Sequence, residues 1–151
     1  NLGMQFGLWI EPEMVNKDSD LYRQHPDWIL HTPGRTSSHG RNQYVLDFSR
    51  KEIVDYIYTM ISKILSNAKI SYIKWDMNRS ITECYSIAYP AERQGEIFHR
   101  YILGVYDLYE RLNFRKSYLS LVQAEEDDLI RECFIMHHKD GQAMILMLLK
   151  D

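Results

Sequence analysis

The chain opens with a short, mostly apolar run, QFGLWI at 5–10, closed by Glu11-Pro12. A run of that length ending in a turn signal predicts a buried strand. A polar region follows through HTPGRTSSHGRNQ at 31–43, rich in Gly, Ser and Thr, and predicts loop. YVLDF at 44–48 is a second short strand candidate. Behind it, Ser49 with Glu52 three residues on predicts a capping box. Ile53, Val54, Ile57, Met60, Ile61, Ile64 and Leu65 then recur at helical spacing, so an amphipathic helix is predicted over 50–66, stopping at Asn67. ISYIKW at 70–75 reads as strand again, with Asp76 at its C-terminal end. Pro90 can open another helix, with Ile97, Tyr101, Val105, Leu108 and Leu112 on one face.

Strand, loop, helix, strand, loop, helix is the order of βα units around a parallel sheet, so the fold class is α/β. Polar and charged side chains stand directly after strands, at Glu11–Glu13 and at Asp76–Arg79. In a (β/α)8 barrel that end of the sheet is the catalytic face. A doubly wound sheet places ligands there too, so the pattern points to a site without choosing the fold.

Composition narrows this picture modestly. The chain has 151 residues, enough for one ordinary domain, and is 45% hydrophobic. A net charge of −3 gives no electrostatic reason to expect nucleic acid or an anionic membrane as partner. No apolar run reaches the ~18–20 residues of a membrane span. Cys84 and Cys133 do not make a disulfide framework, so a reducing, cytoplasmic compartment is the expectation. The chain begins NLGMQFGLWI, without methionine and at the edge of a strand, and so reads as a piece of a longer protein.

The stretch SYIKWDMNRS at 71–80 carries the most chemistry. Lys74 and Asp76 are two apart and share a strand face, so the ammonium would favour the ionised carboxylate. A carboxylate held ionised in a pocket suits a nucleophile, as in retaining glycosidases. Asn78 could bond a sugar hydroxyl and Trp9 could stack on a sugar ring. The plainer alternative is a structural Lys74–Asp76 ion pair at a strand end. Farther on, Cys133 and His137 lie four apart with His138 adjacent. On a helix they could ligate a metal, but an amphipathic helix is the plainer reading.

FGLWIEPEMVN at 6–16, HPDWIL at 25–30, RNQYVLDFSR at 41–50 and YIKWDMNR at 72–79 together resemble, in order and spacing, the catalytic domain of glycoside hydrolase family 36 α-galactosidases, the melibiases. The resemblance covers about 1–112. It implies a (β/α)8 barrel, here strands three and four with their helices, that hydrolyses α-galactosides such as melibiose and raffinose with retention. It implies no metal or other cofactor. The partners implied are α-galactoside sugars, with neither nucleic acid nor membrane, and full-length members are often homo-oligomeric. Carried over by position, Asp76 takes the place of the nucleophile. Trp9, Arg41, Lys74 and Asn78 take substrate-contacting places. Glu11 and Glu13 match an acidic pair, for which hydrogen bonding beneath the pocket stands beside a catalytic role.

The family pattern then calls for a strand ending in an ESC-S-GGGR-DPG motif, followed by W-SDD-DA-ER with the acid/base aspartate. The chain instead reads LSLVQAEEDDLIRECFIMHHKDGQAMILMLLKD from 119. Codons chosen for Tyr118 onward and read one base earlier give Phe-Glu-Ser-Cys-Ser-Ser-Gly-Gly-Gly-Arg-Phe-Asp-Pro-Gly, and later Trp-Ala-Ser-Asp-Asp-Thr-Asp-Ala-Ile-Glu-Arg. Third bases are free through the degeneracy of the code, but two bases of each shifted codon are set by the observed residues. Methionine has a single codon, so Met144 before Ile145 forces an aspartate in the shifted frame. Residues 113–151 are therefore read as an out-of-frame, non-native and helical tail. On that reading the acid/base aspartate is missing and the chain is inactive. The competing class is non-enzymatic: a galactoside-binding remnant or an inert pseudogene product.

Overall fold

The computed structural model describes residues 6–77, 81–115, 119–124, 135–137 and 143–145, with side chains through Asn113. Its centre is a parallel sheet in which β4 (Tyr72–Met77) lies between β1 (Gly7–Ile10) and β5 (Leu119–Ala124). Parallel neighbours need long crossovers: after a short α1 (Asp20–Gln24), α2 (Lys51–Asn67) lies between β1 and β4 in sequence, and α3 (Ile97–Arg115) between β4 and β5. β1 pairs with β4 residue for residue, Gly7 beside Tyr72 through Ile10 beside Trp75. The tyrosine ring lies over the glycine, where a Cβ would fall 2.1 Å from a ring carbon, so any larger residue opposite Tyr72 would displace that half-exposed ring.

Helix α2 forms where the apolar stripe placed it. Ile53, Val54, Ile57, Ile61 and Leu65 are buried. Met60 and Ile64, expected with them, are exposed: the buried stripe is narrower than the apolar one, and these two stand on its flank. The capping box does not form either. The Ser49 hydroxyl donates to a carboxylate oxygen of Asp47, Glu52 accepts from Arg50 Nε at 2.7 Å, and Arg50 itself is the N-cap. For α3 all five expected positions, Ile97, Tyr101, Val105, Leu108 and Leu112, are buried. A 3-10 turn (Ala91–Glu96) after Pro90 leads into it. Arg111 ties the two helices, donating to Asp55 at 2.7 Å and lying over the Tyr58 ring. Neither helix is long and apolar enough to cross a membrane.

The strand expected at 44–48 is in place only in part. β3 (Gln43–Val45) pairs antiparallel with β2 (Met14–Asn16), away from the parallel sheet. Leu46 and Phe48 turn into the core. There the Phe48 ring stacks on Tyr101 at 5.8 Å, and α3 approaches so closely that a Cβ on Gly104 would lie 1.9 Å from the Phe48 carbonyl oxygen. Backbone cannot yield as a side-chain tip can. Gly104→Ala should therefore destabilise the fold by about 1–3 kcal/mol, as overpacking does, despite alanine's better helix propensity. A urea midpoint equal to or above that of the parent would refute the contact.

The helical tail expected over 113–151 requires correction. The helix α3 runs on to Arg115, and the next described segment, β5, pairs parallel with β4, Ile73 beside Leu119 and Asp76 beside Gln123. Val122 is a good strand residue, and β4 offers the Leu119–Ala124 run an edge to complete. β6 (Ile135–His137) and β7 (Ala143–Ile145) pair antiparallel. His137 is thus in a strand, so the helical spacing imagined for it and Cys133 does not hold. Cys133, His138 and the remainder of the tail lie outside the described residues.

Candidate active site

The register of β1 on β4 assembles the site. Trp9 stands beside Lys74 and Ile10 beside Trp75, with Asp76 one residue beyond that register on β4. Side chains alternate along a strand. Trp9 therefore shares one face of the sheet with Lys74 and Asp76, while Ile73, Trp75 and Met77 face the core. Three of the residues singled out in the sequence, Trp9, Lys74 and Asp76, are brought together at the C-terminal end of two adjacent parallel strands.

The Trp9 indole Nε1 donates to Asp76 Oδ2 at 2.9 Å. Asp76 is 9% exposed, and its Oδ1 is buried with no hydrogen-bond partner among the described residues. Trp9 itself is 49% exposed, its ring available on the open side. The ion pair expected between Lys74 and Asp76 is absent among the described residues: the carboxylate takes its hydrogen bond from the indole across the strand pair. Trp9→Phe keeps a ring but removes that donor. A buried carboxylate oxygen left unpaired should cost about 1–3 kcal/mol, visible as a lowered urea midpoint; an unchanged midpoint would show the bond to be idle.

Arg41 arrives from a different element. Gly40 and Gln43 exchange both backbone hydrogen bonds around a two-residue turn, in which Arg41 and Asn42 have φ of 53° and 60°. Two left-handed residues in succession are the type I′ hairpin turn. Asn42 suits that conformation, whereas an arginine there is uncommon. The turn brings the guanidinium to Glu11, with Nη1 donating to Oε1 at 3.0 Å. The Glu11 side chain is almost wholly covered and that of Arg41 mostly open.

Glu13 belongs to the other side. It is 1% exposed, and its Oε2 accepts from Trp75 Nε1 at 3.1 Å. Burial pushes its carboxyl up to about 8, and the neighbouring charges of Glu11 and Asp76 add to the rise. On the core side of β4, Glu13 is thereby held in its neutral form at neutral pH. Asn78 lies outside the described residues.

Two carboxylates that the sequence reading passed over organise the surroundings. Asp47 is buried, accepts from the hydroxyls of Ser86 and Ser49, and so ties the segment after β4 to the start of α2. Burial raises its carboxyl above the usual aspartate range, against the pull of those hydroxyls. Glu83 accepts backbone N–H groups from both Thr32 and Ser38. The Asp47–Ser86 and Glu83 pairings join residues far apart in sequence, with no local pattern to announce them, whereas Asp47–Ser49 is a local contact.

The chain is 57% identical over 114 residues to α-galactosidase AgaA of Geobacillus stearothermophilus, covering 76% of this chain and 16% of that protein. To α-galactosidase Mel36A of Lactobacillus acidophilus it is 54% identical over 110 residues, covering 73% of this chain and 15% of that one. The crystal structure of the family 36 enzyme AgaA from G. stearothermophilus superposes with a TM-score of 0.76 at 54% identity, over 82% of this chain and 17% of that chain. The chain thus spans about a sixth of the length of the curated relatives it matches. The family model described as Melibiase matches residues 1–124. Over the whole parallel sheet and both crossover helices, then, this chain belongs to the melibiase family and resembles its family 36 α-galactosidases.

Proposed function

We propose that this chain is a piece of the catalytic (β/α)8 barrel of a retaining α-galactosidase, with Asp76 as its nucleophile. The observation that carries the reading is the carboxylate at the end of the central parallel strand, one oxygen held by Trp9 and the other buried without a partner among the described residues. Trp9 fixes Oδ2 and leaves Oδ1 to attack the anomeric carbon, forming a glycosyl-enzyme as the leaving oxygen departs. Trp9, Arg41, Lys74 and Asn78 would hold the sugar. The unusual backbone of Arg41 supports a role in binding, since strained residues persist where the surroundings fix them for function. Relatives from G. stearothermophilus were crystallised with raffinose and with stachyose, which points to terminal α-galactosides as the substrate class.

Retention requires a second carboxyl about 5–5.5 Å from the first, to protonate the leaving oxygen. Glu11 is engaged by Arg41, and Glu13 is buried on the far face. With those engagements we assign neither as that acid, so the chain as it stands should release no nitrophenol from a nitrophenyl α-galactoside above background. Binding of galactose without hydrolysis would favour the remnant reading, and absence of both an inert piece.

The missing acid follows from our reading that the chain leaves the family's frame near Asn113. Codon arithmetic through Asp151 carries that reading. The parallel pairing of β5 speaks against it, since a native fifth strand would pair in the same way. Nucleotide sequence decides between them. Restoring one base near codon 113 should open a frame through both the glycine-rich and the Ser-Asp-Asp motifs; a stop codon soon after that position would end the idea.

A further inference from the structure

The segment 31–40 leaves the short pairing of 28–30 with 45–47, where Leu30 N donates to Val45 O at 2.9 Å, and comes back through the Arg41 turn. It crosses to the segment 82–85 beyond β4 at four points. His31 N donates to the Tyr85 carbonyl at 2.9 Å. The hydroxyls of Ser38 and Thr82 meet at 2.7 Å. The other two contacts converge on one side chain: Glu83 Oε1 accepts from Thr32 N–H, and Oε2 from Ser38 N–H at 2.9 Å. One carboxylate thus spans the loop, joining residues six apart. Its own segment is fixed in turn, because the Ser86 hydroxyl donates to buried Asp47, and Gln94 exchanges bonds with the Ser86 backbone.

We propose that Glu83 is a positioning residue: by bridging Thr32 and Ser38 it holds the loop that ends in the Gly40–Gln43 turn, and so sets where the Arg41 guanidinium stands relative to Asp76. The proposal rests on the reading that Arg41 contacts substrate. Chemistry singles out the carboxylate. Two N–H donors need two acceptor oxygens, and ionised Glu supplies both. Gln supplies one, and its NH2 would face the second N–H. Serine and threonine hydroxyls nearby could not span the loop. Burial pushes the Glu83 carboxyl up, but the amides of Ser38 and Thr32 outweigh it and hold the group below the ordinary glutamate value, as two good donors to a carboxylate should.

The test uses the 151-residue chain, 15N-labelled. In the wild type, the amide protons of Thr32 and Ser38 should move together as Glu83 titrates, at a pH below the ordinary glutamate value of 4.5. In Glu83→Gln, hydrogen exchange at the Gly40 and Gln43 amides should quicken about tenfold, while Ile57 and Ile61 in α2 stay protected. Unchanged exchange at Gly40 and Gln43 would overturn the proposal, as would equal acceleration in α2, which would mean general loosening. If Glu83→Gln does not fold, the wild-type titration decides: amides that stay still as Glu83 titrates refute the clamp. Galactose added to the same samples tests the site reading separately. Its affinity should fall about tenfold in Glu83→Gln, and Arg41→Ala should remove that difference. No loss of affinity in Arg41→Ala would refute the role of Arg41, and an intact clamp would then position nothing for substrate.

Discussion

Asp76→Asn in the frame-restored enzyme should abolish turnover, by on the order of 10⁴-fold or more, the scale at which other enzymes lose rate with a covalent nucleophile. The amide cannot form the glycosyl-enzyme, yet it keeps the shape of the side chain and can still accept the Trp9 indole N–H through its oxygen. Galactose should therefore bind with affinity near that of the parent. Loss of binding together with turnover, with the fold intact, would mean that Asp76 anchors the sugar instead of attacking it. Retained turnover would remove it from the chemistry altogether.

Glu13→Gln should change stability, and the sign follows from linkage. The folded chain keeps the Glu13 proton up to about pH 8, whereas an exposed glutamate loses it near 4.5. Between those values the folded state binds more protons than the unfolded one, so stability falls as pH rises through that window and levels off above it. The shift corresponds to about 4–5 kcal/mol as an upper bound. The glutamine side chain would be neutral throughout and could still accept from the Trp75 indole. Its NH2, like the carboxyl oxygen Oε1 that has no partner among the described residues, gains nothing. We expect the variant to gain about 2 kcal/mol at pH 8 and little or nothing at pH 4.5. Asp47, also raised, continues to contribute a slope of the same sign in both proteins. Urea titrations at the two pH values check this; a variant no more stable than the parent at pH 8 would show Glu13 already ionised in the fold.

The helices were the most legible part of the sequence, because a stripe of apolar residues is a local signal. Every expected position of α3 is buried. The errors in α2 have local causes too: Asp47 takes the hydroxyl of Ser49 and Arg50 takes Glu52, so the residues of a capping box were present but engaged elsewhere. Strand β2 is three residues long, too short to show a period. In the tail, a Leu-Ser-Leu-Val run can pair with a free strand edge whatever its origin, so helix and strand could not be separated by composition. At the site, Asp76, Lys74, Asn78 and Trp9 were legible from side-chain chemistry and strand-end position, whereas Arg41 came from resemblance alone. The bond that defines the site, Trp9 to Asp76, joins positions 67 residues apart, and the Glu83 bridges span 51 and 45. Such pairings exist only once β1 and β4 lie side by side.

The central claim, that Asp76 is the nucleophile of a retaining hydrolase, is tested most directly by trapping the covalent intermediate. The frame-restored enzyme would be treated with a galactosyl donor that forms the glycosyl-enzyme quickly and releases it slowly, then digested and analysed by mass spectrometry. A nucleophilic Asp76 predicts one sugar per chain, on the peptide that carries β4, at that residue. A label on Glu11 or Glu13, or an active enzyme that takes no label at all, would contradict it.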